Sequence, residues 1–325
     1  MLRNAAALHV ADFSARYVAE DGAVAADGSW TADVEIGWRF AGFDSRAVSE
    51  EVGVEFAPAA GGVRIAGFGG GDEKLPVWLS GAVTVRRTPQ TLVVVRGGAK
   101  KAAEYADLAR TAVVTVRRVV DWRRPRLVLE VPENQGGLES ALGADPGTYG
   151  GVAAVTATVD GSGRSSVPVH VFVNPDVIGT LDSQGAQVVI SHEATHAATG
   201  AATNTHLPIW LSEGFADYVA LRDVKLPLST TAGQILKDVR RHGPPAHLPD
   251  QSDFNSQSST FGEEYEAAWL ACRVVAELGG EDGLVRLYDR VEVGAPLGRT
   301  LQSVTGLGVK GFTKAWQEHL SDWAA

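Results

Sequence analysis

The sequence predicts an α+β protein in two parts: an antiparallel, β-rich N-terminal half, then a mostly helical half that carries a small sheet. Three observations predict it. Apolar residues recur with period two from about Leu8 to Val95, the spacing becomes helical after Gly97 and Gly98, and the second half opens with a few strands that lead into a long series of helices. A chain of 325 residues is long for one small domain, which puts the expected domains at 1–97 and 98–325.

In chain order, the alternating runs WTADVEIGWRF, SEEVGVEF, GGVRIAGF, VWLSGAVTV and TLVVV read as strands separated by turn residues. The leading segment, roughly Ala5 to Glu20, reads as a short helix or an edge strand. GFGGGDEK reads as a turn, because no helix with a suitable Lys-Ser/Thr follows to make it a phosphate loop. The half-alternating character of this part is loosely similar to the cone-shaped folds related to nuclear transport factor 2. A helix is expected from Ala99 to about Val120, then a strand at Arg126–Val131, a short helix near Gly137–Leu142, and strands at Val152–Val159 and Val167–Val173. Beyond Pro175 the spacing predicts helices near 183–199, 208–221, 231–242, 262–278, 282–291 and 310–323.

Composition narrows the function. Lys+Arg 29 against Asp+Glu 39 gives a net charge of −10, which repels a polyanion and excludes nucleic acid as an expected partner. The single cysteine, Cys272, rules out an internal disulfide framework and any zinc site needing two thiolates. No run of about eighteen apolar residues occurs, so no membrane span is expected. MLRNAAALHV lacks the features of a secretory signal and looks like the middle of a domain, which predicts that an N-terminal anchor or signal has been removed. With lysine-poor, Ala-, Gly-, Val- and Arg-rich usage suggesting a high-GC bacterium, the expected location is the cell envelope or exterior.

The chemistry concentrates in VVISHEATHAATG. His192 and His196 are four residues apart, so on a helix their rings stack along one face and can reach one ion at about 2.1 Å. Glu193 projects beside them. His-Glu-x-x-His is a zinc metalloprotease motif, in which the glutamate serves as general base. A catalytic zinc needs three protein ligands and an open position. The metzincin pattern does not supply the third, because Ala202 stands where its histidine would be and Thr199 where its glycine would be. The segment LPIWLSEGFADYVA follows, with Pro208 suited to a helix start and Glu213 in the next turn. A short loop folding one helix back on the other could bring Glu213 to the ion. Asp217, one turn further on, is placed to accept a hydrogen bond from the outer nitrogen of a ligating histidine.

HEATH followed by WLSEGFADY resembles the gluzincins, and among them the bacterial peptidase MA-like proteins, whose Trp-Leu-x-Glu-Gly segment carries the third ligand. The resemblance runs from about residue 99 to the C-terminus, its specific part covering about thirty residues. It implies a zincin-like fold, a zinc ion on His192, His196 and Glu213, and hydrolysis of a peptide or protein substrate with Glu193 as general base. Asp217 is implied as a carboxylate behind the ligands. Ser212 departs from the gluzincin aminopeptidases, which have asparagine there. Gluzincins also supply an oxyanion donor from a Tyr or His on a later helix, for which the candidate is Tyr265; the same helix face equally describes core packing. The strand VPVHVFV is expected to border the cleft and pair with substrate backbone. The alternatives are a catalytically weak zinc-containing protein that binds a peptide or cell-wall component, or a scaffold whose N-terminal half is the working part. His170, His206, His242 and His247 are assigned no role, and Cys272 reads as a buried structural thiol.

Overall fold

The computed structural model describes residues 1–70, 74–254 and 261–325; residues 71–73 of the expected GFGGGDEK turn lie outside them. The fold is mixed α+β, with an N-terminal antiparallel sheet, a small mixed sheet and a helical region. Contacts divide the chain into two compact units, 1–111 with 124–186 and 112–123 with 187–325.

In the first unit, helix α1 (Leu2–Leu8) ends at His9, whose left-handed φ of 52° turns the chain into strand β1 (Val10–Asp21). The leading segment is therefore a helix and an edge strand in succession. Strands β2 (Trp30–Phe40), β3 (Val48–Ala59) and β4 (Gly62–Phe68) complete an antiparallel sheet in the order β1-β2-β3-β4. Alternation decides its faces: Ala32, Val34, Ile36, Trp38 and Phe40 are buried, while Glu35 and Arg16 form an exposed ion pair on the other side. The expected strand VWLSGAVTV is half right. Val77, Trp78 and Leu79 are all buried in a turn that starts at Pro76, and only Thr84–Arg87 is extended, as β5.

Strands β6 (Thr91–Val95), β7 (Leu127–Val131), β8 (Ala154–Thr158) and β9 (Val169–Val173) join β5 in a sheet of order β5-β6-β7-β9-β8. β6 pairs parallel with β7 across helix α2 (Ala99–Val116). The sheet therefore crosses the boundary expected between 97 and 98, because the glycines there end a strand and not a domain. The pairing also corrects the expectation for VPVHVFV. β9 lies between β7 and β8, so its backbone groups are engaged on both sides, and the free edge at that end is β8.

The core of this unit gathers Leu8, Trp38, Phe40, Trp78, Leu92, Leu138 and Phe172. His170 is buried beside it, with Nδ1 2.7 Å from Glu130 Oε1 and Nε2 2.9 Å from Asp44 Oδ1. Carboxylates only accept, so both ring nitrogens donate and the ring is an imidazolium. Burial opposes that charge, but Asp44 and Glu130 outweigh it and push His170 up to about 10. Short helices α3 (Gln135–Leu142) and α4 (Pro175–Ile178) are capped by Asn134 and Asn174.

The second unit is helical. It is formed from α5 (Ser183–Thr199), α6 (Ile209–Leu221), α7 (Leu228–Thr231), α8 (Gly233–His242), α9 (Phe261–Gly279), α10 (Glu281–Glu292), α11 (Leu297–Thr305) and α12 (Val309–Ala324), α5 beginning in the first unit. α9 is the axis and packs against α6, α8, α10, α11 and α12. Gly214 makes the closest approach possible: a Cβ there would stand 2.2 Å from the Ala268 carbonyl oxygen. Trp210 is core filling, stacked on Phe312, and Cys272 is a buried thiol near the Trp210 carbonyl. No described helix is long and apolar enough to cross a membrane.

Candidate metal centre

Helix α5 buries Ile190, Ser191, His192, Glu193, Ala194, Thr195 and His196 in succession, so nearly two turns of it are enclosed on all sides. Such enclosure fixes the rotamers of the two histidines. The helix ends where Gly200 takes a left-handed φ of 71°, and a single 3₁₀ turn at Ala201–Thr203 carries the chain round. Asn204 then secures the connection. Its side-chain oxygen accepts from the amides of His206 and Leu207, and its amide donates to the Glu292 carbonyl. Pro208, extended at φ −66°, starts α6, which delivers Glu213 to the histidines and Asp217 one turn behind it.

The result is a convergence of three ligand atoms. His192 Nε2 and His196 Nε2 stand 3.0 Å apart, and each is 3.2 Å from Glu213 Oε2. The outer nitrogen of His192, Nδ1, donates to Asp217 Oδ1 at 2.7 Å, which leaves Nε2 as the nitrogen aimed at the shared point. With both Nε2 atoms deprotonated, two imidazole lone pairs and a carboxylate oxygen face one point. The donor set therefore fits one metal ion, and these three residues are close enough together to hold it.

The electrostatics agree. Burial disfavours a charged His192, but Asp217 foremost, with Glu213 and Glu193, overcomes it and raises the ring well above 6.5. Burial likewise works to raise Glu213, and the two imidazoles outweigh it, holding the carboxyl far below the usual range. The pocket thus favours positive charge at its centre, proton or metal, and metal binding there displaces a proton.

Two further residues lie beside these three. Glu193 is buried next to His192 on α5, and its charge acts on both His192 and Tyr265. Tyr265, near the start of α9, has its ring centroid 5.9 Å from that of His192. Burial first, then Glu213, Glu193 and Asp217, raises its phenol well above 10, so it remains a neutral O–H donor. Phe254 packs edge-on against it at 5.0 Å. All the residues singled out in the sequence, His192, Glu193, His196, Glu213, Asp217 and Tyr265, lie in this one neighbourhood.

Sequence reasoning passed over one further cluster. His247, Asp250 and Asp253 also bring ligand atoms within 4.8 Å of one another, on a more exposed loop. The spacing of HLPDQSD was the available signal, and exposed acidic groups of this kind are common without an ion. Compared with known proteins, the chain matches no family model and no curated protein.

Proposed function

We propose that the chain is a zinc-dependent peptidase of the gluzincin type, its metal held by His192, His196 and Glu213. The observation that carries the reading is the convergence of those three ligand atoms with Asp217 on the outer nitrogen of His192. Two histidines and one glutamate are a ligand set of known zinc hydrolases and leave the ion an open position, whereas a structural zinc has four protein ligands. Bound there, zinc would polarise a carbonyl and lower the pKa of water toward about 7.

The chain's own residues supply the rest. Glu193 takes the proton of the attacking water and passes it to the leaving nitrogen of the scissile amide. Tyr265, kept protonated by its surroundings, donates to the carbonyl oxygen as negative charge develops on it. Asp217 fixes the tautomer and orientation of His192. On this reading the helical unit is zincin-like. The likeness of the N-terminal sheet to cones of the nuclear transport factor 2 kind has less behind it, since the helix preceding the sheet, α1, has only seven residues.

The second reading is a zinc-containing protein that binds a peptide or cell-wall component and cleaves weakly or not at all. Glu193 argues against it, because a purely structural metal site has no use for a buried carboxylate beside its ligands. Digestion of a broad peptide library by the purified chain separates the two. Cleavage abolished by a chelator and restored by zinc supports the peptidase. One equivalent of bound zinc with no cleavage of any peptide supports the binder.

A further inference from the structure

The N-terminal sheet turns one carboxyl group into its own core. Along β3 the inward positions are Val48, Glu50, Val52 and Val54, all buried, so a glutamate occupies a place where strand alternation calls for an apolar residue. Glu50 pairs with Ile36 on β2 and is 7 % exposed. Its Oε1 is buried and makes no hydrogen bond. The nearby cation is the Lys74 ammonium, 3.8 Å away, and that group donates to the Asp160 carbonyl at 2.7 Å.

The other charges facing Glu50 are of its own sign. Glu130 on β7 and Asp160 beyond β8 both act to keep it uncharged. Glu130 is already committed to the His170 imidazolium on β9, which also holds Asp44. Ionised Glu50 would make Asp44, Glu50 and Glu130 three buried carboxylates set against two cations, His170 and Lys74. A buried anion without full pairing is strongly disfavoured.

We propose that Glu50 is a proton switch: the folded chain keeps it as a neutral carboxyl in neutral solution, and its ionisation in mildly alkaline solution loosens the sheet around β3. Burial first, opposed by Lys74 and reinforced by Glu130 and Asp160, pushes this carboxyl up to about 8. The ordinary value, 4.5, applies in the unfolded chain. Between those limits the folded form carries one more proton than the unfolded form, so stability falls as pH rises. Above about 8 both forms are ionised and the loss levels off.

The test compares unfolding of the full chain by denaturant from pH 5 to 9.5 for wild type and Glu50→Gln. A one-proton difference makes the unfolding constant of wild type, relative to the variant, rise about tenfold per pH unit and level off near the folded value. Hydrogen exchange in peptides covering 48–59 should accelerate with pH up to that point and then level off in wild type alone, beyond the intrinsic effect of base. Lys74→Met should move the levelling-off to higher pH, because the ammonium favours the charged form. If Glu50→Gln does not fold, the infrared band of a protonated carboxyl in wild type and Lys74→Met decides the matter. A wild-type to Gln ratio that stays flat with pH overturns the proposal, as does a carboxyl band that titrates at an ordinary glutamate value.

Discussion

Removing Asp217 should weaken metal binding without touching a ligand. The bond at issue is short, 2.7 Å from His192 Nδ1 to Asp217 Oδ1, between side chains only 10 % and 15 % exposed. A charge-assisted hydrogen bond in such a place is worth about 1.5–3 kcal/mol. Loss of a carboxylate behind a metal-bound histidine typically weakens metal affinity about 10–100-fold, or about 1.4–2.7 kcal/mol, which agrees with that range. Asp217→Ala should therefore bind zinc about 10–100-fold less tightly, with the fold retained. Asp217→Asn, whose side-chain oxygen can still accept from Nδ1, should fall between the variant and wild type. The assay is competition for zinc against a chromophoric chelator, with circular dichroism as the check on folding. Wild-type affinity in both variants would refute the argument, since it would mean that His192 needs no partner to hold its orientation.

Four other outcomes follow from the same structure. Glu193→Gln should keep its zinc and lose about 10²–10⁴ in peptide turnover, measured beside metal content in the same preparation. Tyr265→Phe should lower kcat by about 10²–10³ with little change in KM, while a purely packing role predicts unchanged kcat. Gly214→Ala should destabilise the helical unit by about 1–3 kcal/mol or more in denaturant titrations, because its methyl group would stand 2.2 Å from the Ala268 carbonyl oxygen. His170 provides a pH test: its folded value of about 10 lies above the ordinary 6.5, so the stability it contributes is complete below 6.5 and lost as pH rises toward 10. The slope of stability between pH 8 and 10 should therefore flatten in His170→Gln.

The site was legible in the sequence because its parts are local. His192 and His196 are one turn apart on α5, Glu213 and Asp217 one turn apart on α6, and a short connection joins the two helices, so helical geometry allows all four to meet, while the motif resemblance singled out Glu213 and Asp217. Most elements were legible for the same reason, since alternation in β2 and helical spacing in α6 and α10 coincide with what is buried. Long-range chemistry was not. His170 finds Glu130 and Asp44 at separations of 40 and 126 residues, and nothing local to VPVHVFV signals an ion cluster. The division of the chain was misjudged likewise: TLVVV and LVLEV are buried along their whole length, as central parallel strands are, but nothing in either run names the other as its partner. Trp78 shows the limit of alternation, as a buried turn and a buried strand edge use the same apolar residues.

The most direct test of the central claim is zinc K-edge X-ray absorption on the protein loaded with one equivalent of metal. The account predicts a first shell of nitrogen and oxygen only, with two imidazoles, one carboxylate and a remaining oxygen from solvent, and loss of one imidazole in His196→Ala. A sulfur ligand, or a shell unchanged by replacing His192, His196 or Glu213, would contradict it.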